Sequence, residues 1–251
     1  MSASTSTLSV QLYSVRERLD EDFLGTLRAL ADLGFTQVEP FGFTPDVALT
    51  YSQAFAETGL SAPTTHAGIL DAPDQAELFA AAAHAGVRTV ILPSSAQERW
   101  TDAAGLEGIA ADLNAAAALA SEHEVRVGYH NHWWELENTV DGVPALEALA
   151  TRLDDGVVLE VDTYWAEVGG VDAVGLLGRL GERVVAIHVK DGDRSRDTKK
   201  QQPAGQGDVP VLDILAAAPD ALRVIEFDDY DGDRLEGIAA SVAYLREHGI
   251  S

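Results

Sequence analysis

The sequence predicts a single (β/α)8 barrel, and three observations predict it. Short β-branched runs alternate with longer alanine- and leucine-rich stretches at helical spacing, the pattern of repeated βα units around a parallel sheet. Eight such units can be drawn in 251 residues, the usual size of a closed barrel, whereas an open doubly wound sheet needs fewer strands. No Gly-x-Gly-x-x-Gly follows a strand and no Walker-type loop is present, which argues against a nucleotide cofactor.

The expected strands are 8–13, 36–39, 62–66, 89–92, 125–130, 157–161, 184–189 and 223–227, numbered first to eighth below. The first helix is read over 18–33 and stops at Gly34, a residue suited to the left-handed C-terminal position. Gly59 and Gly86 close the second and third helices in the same way. The fourth, near 103–123, is so rich in alanine that propensity alone favours helix. Val174, Leu176, Leu177 and Leu180 pattern the sixth, and Ile238, Val242 and Leu245 the eighth. The longest loop, 191–208, is charged and glycine-bearing, and is expected to overhang the site. Residues 1–7 are expected to form a disordered tail, with 8–251 a single domain.

Asp and Glu number 41 against 17 Lys and Arg, a formal charge of −24 that disfavours nucleic acid and anionic membranes as partners. There is no cysteine, so a metal would have to be held by nitrogen and oxygen ligands. The first residues lack the basic and apolar pattern of an export signal and no later segment approaches a membrane span, which makes the cytoplasm the default location. The assembly is left open between a monomer and a homo-oligomer.

A barrel keeps its chemistry at the C-terminal ends of its strands. Here Glu39 ends the second strand, His66 the third, His130 and His132 the fifth, Glu160 and Asp162 the sixth, His188, Lys190 and Asp191 the seventh, and Glu226 and Asp228 the eighth. Strand side chains alternate, so His130/His132, Glu160/Asp162, His188/Lys190 and Glu226/Asp228 are same-face pairs. Any one of these residues reads more simply as a cap or a hydrogen-bonded loop residue. Together they would be costly to bury at one end of an apolar barrel unless paired or bound to a cation. Carboxylates with imidazoles and no thiolate suit one divalent ion: Mn2+ first, with Mg2+, Co2+ or Zn2+ as alternatives. Such an ion can polarise a hydroxyketone carbonyl and stabilise the enediolate left when the neighbouring C–H proton is removed.

The ordered set resembles the sugar phosphate isomerase/epimerase proteins of the xylose isomerase-like TIM-barrel superfamily over nearly the whole chain. It comprises Val10-Gln11-Leu12-Tyr13-Ser14-Val15-Arg16, Gly34-Phe35-Thr36-Gln37-Val38-Glu39, Tyr129-His130-Asn131-His132 with Glu135, Asp162, His188-Val189-Lys190-Asp191, Gly205-Gln206-Gly207-Asp208 and Glu226. The resemblance implies one divalent ion held by a Glu, an Asp, a His and a second Glu from strands five to eight. The last three map to Asp162, His188 and Glu226. Where many relatives place the first glutamate this chain has His130, so Glu135 stands as the replacement, with His130 a ligand or an acid/base. Trp165 stands where several ketose epimerases carry a substrate-contacting histidine.

Glu135 and Glu226 are read, as the resemblance implies, as carboxylates that bind metal and exchange a proton with substrate. His130 and His132 are alternative bases. Lys190 neutralises an enediolate oxygen or pairs with Asp162, Glu160 or Asp191. Glu39, His66, His132, Gln11, Tyr13 and Trp165 are the expected substrate-side residues, and Arg194 and Arg196 are candidates for gripping a phosphate or are simply solvated. The expected partner is a small sugar. The leading activity is isomerisation or epimerisation of a ketose or keto-sugar. Elimination through the same enediolate, as in an inosose dehydratase or a 3-keto-glycoside-cleaving lyase, is the alternative. The superfamily's abasic-DNA endonucleases conflict with the charge, and a non-enzymatic sugar- or metal-binding module ranks last.

Overall fold

The computed structural model describes residues 8–250, so the expected tail lies outside the described residues. Seven strands form one parallel sheet in the spatial order first, eighth, seventh, sixth, fifth, fourth, third. They are Leu8–Val10 (first), Thr64–His66 (third), Thr89–Leu92 (fourth), Arg126–His130 (fifth), Val157–Asp162 (sixth), Val184–Val189 (seventh) and Leu222–Ile225 (eighth). The second position is a correction to the expected strand at 36–39. Residues 37–39 make two single bridges, Gln11 with Glu39 and Gln37 with Ser61, and so close the barrel between the first and third strands without a ladder. Pro40 follows at once and has no N–H to continue the pairing. The first and eighth strands are also shorter than expected: after Val10 the chain turns into the 3-10 segment Leu12–Val15.

Helices fill the outer layer, and one of them departs from the expected run. The helix read over 18–33 is two, Arg16–Glu21 and Phe23–Asp32, because Asp22 leaves the helical conformation at φ −150°. Its carboxylate accepts from Gly25 N–H at 2.9 Å, the local bond that makes aspartate a cap rather than a helix interior residue. The alanine-rich helix is seen at Ala103–Ser121, as read, and the last helix spans Arg234–Glu247. Gly59 closes Pro45–Thr58 at φ 75°, where a side chain would be strained. No helix among the described residues is long and apolar enough to cross a membrane.

Between sheet and helices Val10, Val90, Val127, Leu159, Val161, Ile187 and Ile225 are all fully buried, and so is Val224 on the inner face beside His188, as parallel strands covered on both faces require. Two irregularities aim the site. The sixth and seventh strands slip register between Leu159, paired with Val184, and Glu160, paired with Ala186, which leaves Val185 unmatched. Beyond this bulge Asp162 stands directly opposite His188. The segment after the seventh strand is gathered by Asp191. Its Oδ1 accepts from Gly192 and Val209 N–H at 2.8 and 3.0 Å, and its Oδ2 from Gly205 and Gly207 N–H at 2.9 and 3.0 Å. The expected overhang reaches the site through Gln201, which donates to Asp228 Oδ2 at 2.6 Å.

Candidate active site

Eight ionisable residues from the strand ends, Glu39, His66, His130, Glu160, Asp162, His188, Lys190 and Glu226, are buried at the C-terminal mouth of the barrel. The alternation of each strand turns its Glu, Asp, His or Lys inward at every second position. Glu160 is the hub. Its Oε2 lies 2.6 Å from His66 Nε2, 3.2 Å from His130 Nδ1 and 3.1 Å from His188 Nε2. Glu39 backs this cluster, with Oε1 2.9 Å from His188 Nε2 and 2.8 Å from the Gln11 amide that donates to it, while Thr64 Oγ1 donates to Oε2. A second cluster forms around Lys190 Nζ, which meets Asp162 at 2.7 Å, Glu226 at 2.6 Å and Asp228 at 2.8 Å. His188 joins the two: its Nδ1 is 2.6 Å from Glu226 Oε2.

These neighbours set the protonation states. Burial pushes the Glu160 and Glu226 carboxyls up, but His188 with His66 for Glu160, and Lys190 with His188 for Glu226, outweigh it and hold both well below the usual carboxylate range. For His188, burial disfavours the cation, yet Glu160 and Glu226 raise it well above an ordinary imidazole; Glu39 and Glu160 do the same, less strongly, for His66. His130 is held well below by burial and by the neighbouring His188, and burial takes His132 down to about 4, so both are neutral bases at working pH. Burial raises Asp162 to about 6, and burial with Glu160 beside it raises Glu39 to about 6.

The residues are placed as follows. Gln11, Tyr13, His66, His130, His132, Glu226 and Asp228 line one cavity of about 320 Å3 together with Phe41, Gly42 and Pro93. Glu135 is fully buried but turned aside, its oxygens accepting from Tyr129 OH at 2.8 Å and His132 N–H at 2.9 Å. Burial raises its carboxyl to about 8. Trp165 is also buried; its backbone N–H caps onto Asp162 at 2.9 Å, and its ring lies 5.6 Å from Lys190 Nζ, outside the cavity lining. Trp100 is core, its indole bonded to Ser95, while Trp134 stacks on His132 at 4.3 Å. Lys190 pairs with Asp162 as one expected reading had it, and its further partners are Glu226 and Asp228 rather than Glu160 or Asp191. Arg194 and Arg196 are taken up by Glu167 and Glu137.

Three contributors had a sequence signal that went unassigned. Glu160 and Asp228 were visible as same-face partners of Asp162 and Glu226, and Asn131 lay inside Tyr129-His130-Asn131-His132. Asn131 pins the end of the sixth strand through both its amide atoms, bonding Asp162 N–H at 3.0 Å and Asp162 C=O at 3.2 Å. Phe41 and Pro93 carried no such signal.

Among the described residues two groups of ligand atoms are close enough to hold a cation: Asp162, His188 and Glu226, and His66, His130, Glu160 and His188. The residues fit a divalent ion on two counts. Glu160 Oε1 is buried without a hydrogen-bond partner, and Asp162 Oδ2 has no well-angled hydrogen bond, only the ion pair to Lys190 at 2.7 Å and looser contacts to His130 and His188 at 3.8 Å. The Asp162, His188 and Glu226 donors make a mixed oxygen and nitrogen set. Glu135 is not among the converging residues, and His130 Nε2 is the nearer group, 3.8 Å from Asp162 Oδ2.

Among solved structures the chain is similar to a sugar phosphate isomerase/epimerase from Parabacteroides distasonis ATCC 8503. The two share 23% identity over 98% of this chain and 96% of that one, with a TM-score of 0.79. It is similar also to the probable 3-DHS dehydratase AsbF of Bacillus anthracis, at 13% identity, 95% and 98% coverage and a TM-score of 0.76. The IOLI protein with a bound zinc atom matches at 12% identity, 96% coverage of each chain and a TM-score of 0.71. At these identities the likeness is one of fold. No curated protein matches the chain. The family model described as the xylose isomerase-like TIM barrel matches residues 27–248, nearly all of the barrel laid out above, and the chain belongs to that family.

Proposed function

We propose that the protein is a divalent-metal-dependent sugar isomerase/epimerase that removes a proton next to the carbonyl of a ketose or keto-sugar. The observation that carries this is one sugar-sized cavity lined by ionised Glu226 and neutral His130 and His132, in which Glu226 also belongs to the converging Asp162–His188–Glu226 donor set. Asp162, His188 and Glu226 would hold the ion, with Mn2+ the first choice, and when bound it would supply Lewis-acid polarisation of the carbonyl. Glu226 and His130 both face the cavity in forms that accept a proton, and His66, whose cation Glu39 and Glu160 favour, faces it in a form able to return one. Lys190, 2.6 Å from Glu226, holds that carboxylate ionised. Gln11 and Thr64 fix Glu39, which fixes His188.

Elimination follows from the same proton removal where the substrate carries a leaving group on the next carbon. His66, lining the same cavity with its cation favoured, suits that outcome as the donor to the leaving group, and the fold shared with a probable dehydratase is compatible with it. Incubating the Mn2+-loaded protein with keto-hexoses in D2O tests both readings by NMR. Deuterium incorporation with an epimeric product is expected, and Glu226→Gln should slow it by about 100-fold or more. Loss of water or aglycone would instead mark a lyase, and a complete lack of exchange across the panel would sink the enzyme reading.

A further inference from the structure

The positions at which a barrel of this kind would seat a phosphate are filled by the chain's own carboxylates. Phosphate in such barrels is commonly held by the loops after the seventh and eighth strands and a helix N-terminus there. Here the helix after the eighth strand is capped by Asp233, whose Oδ1 accepts from Leu235 and Glu236 N–H at 2.8 and 3.0 Å. The arginines around it are paired: Arg18 with Asp233 at 2.6 Å, and Arg234 with Asp229 at 3.1 Å and with Glu17. Asp74, Asp102 and Asp172 cap three other helices, bonding Glu77, Gly105 and Gly175 N–H.

The loop after the seventh strand is no more receptive. Arg194 is bound to Glu167 and to the Asp208 carbonyl, Lys200 pairs with Asp193 at 3.2 Å, and Arg196 pairs with Glu137 and lies 3.4 Å over Trp133. Lys199 is exposed and is the one cation of that loop without an ion pair among the described residues. Within the site, Glu39, Glu160, Asp162, Glu226 and Asp228 face a single ammonium, Lys190.

Resting on the keto-sugar reading above, we infer that the substrate is an uncharged keto-sugar and that phosphate esters are excluded. The cavity's carboxylates, Glu226 and Asp228, are acceptors that select hydroxyl donors, which a neutral sugar has in number and a phosphate dianion lacks. Tyr13, edge-on to Phe41 at 5.3 Å, and Pro93 offer an apolar wall for a sugar's C–H face.

Calorimetry on the Mn2+-loaded protein tests this with D-fructose, D-psicose and a 3-keto-glucose, each against its 6-phosphate. At least one neutral sugar should bind, with its ester weaker by about 100-fold, and inorganic phosphate should not compete. Asp228→Asn should narrow that gap by about tenfold, and Glu236→Gln, on the outer helix, should leave it unchanged. An ester binding as tightly as its parent sugar, through Lys199 or otherwise, would overturn the assignment, as would failure of every neutral sugar to bind. A neutral sugar that binds without exchanging hydrogen would count against the catalytic reading and leave the charge selection standing.

Discussion

Glu135 shows what burial does to a single side chain. Its carboxyl is raised to about 8 from a usual 4.5, chiefly by burial. A group raised on folding contributes stability in full below its unfolded value and loses it as the pH climbs toward the folded one. Chelator-treated protein should therefore lose stability between about pH 5 and pH 8 on this residue's account, by on the order of 4 kcal/mol. Glu135→Gln should flatten that part of the profile in urea melts while the wild type keeps its slope. A variant whose slope matched the wild type would show that Glu135 is already ionised in the folded chain. The residue also marks how far its surroundings can be read from sequence. Glu135 follows Tyr129-His130-Asn131-His132 closely enough to suggest a ligand, but its direction depends on one turn, Trp134–Glu137, which points it at the Tyr129 hydroxyl. Sequence spacing carries the strand's alternation and says little about a turn that follows it.

At the scale of elements, the segment from Asp191 to Val209 hangs on one carboxylate with four backbone donors. Asp191→Asn keeps one acceptor oxygen and sets an N–H2 against amides, so two bonds should be lost, at about 1 kcal/mol each. Hydrogen exchange should accelerate at Gly205 and Gly207 while the strands stay protected, and an unchanged rate there would mean the segment is held otherwise. Gly207 is fixed by the same arrangement, since a Cβ there would lie 2.2 Å from Asp191 Oδ1 and 2.3 Å from Gly192 N. Most elements were legible because their composition is strong: alanine propensity sets Ala103–Ser121, and Val184–Val189 is a short, mostly β-branched apolar run. The failures share a cause. The second strand and the break at Asp22 are set by one residue's local bonding, Pro40 in one case and Asp22 in the other, which a period over ten residues averages away.

For the whole molecule, a formal charge of −24 means that the fold is held against its own repulsion. Raising NaCl from about 10 mM to about 150 mM shortens the screening length from roughly 30 to 8 Å, and the melting temperature should rise by a few degrees. A fall on adding salt would show that the surface ion pairs, such as Arg179 with Glu147 at 2.7 Å, outweigh the repulsion. The cluster of strand-end residues was readable as a set because each strand contributes by parity. Its partition into a Glu160 hub and a Lys190 hub was not, since that depends on strand stagger around the barrel.

That stagger turns on Val185. The one unmatched residue shifts the phase of the seventh strand against the sixth, so Val184 stays in step with Leu159 while His188 comes level with Asp162. The lower strand can thus obey the demands of packing and the upper strand those of chemistry, each with its own phase. A strand without that offset would have to satisfy both with one alternation, and a single-residue deletion there would dismantle the site while sparing most of the core.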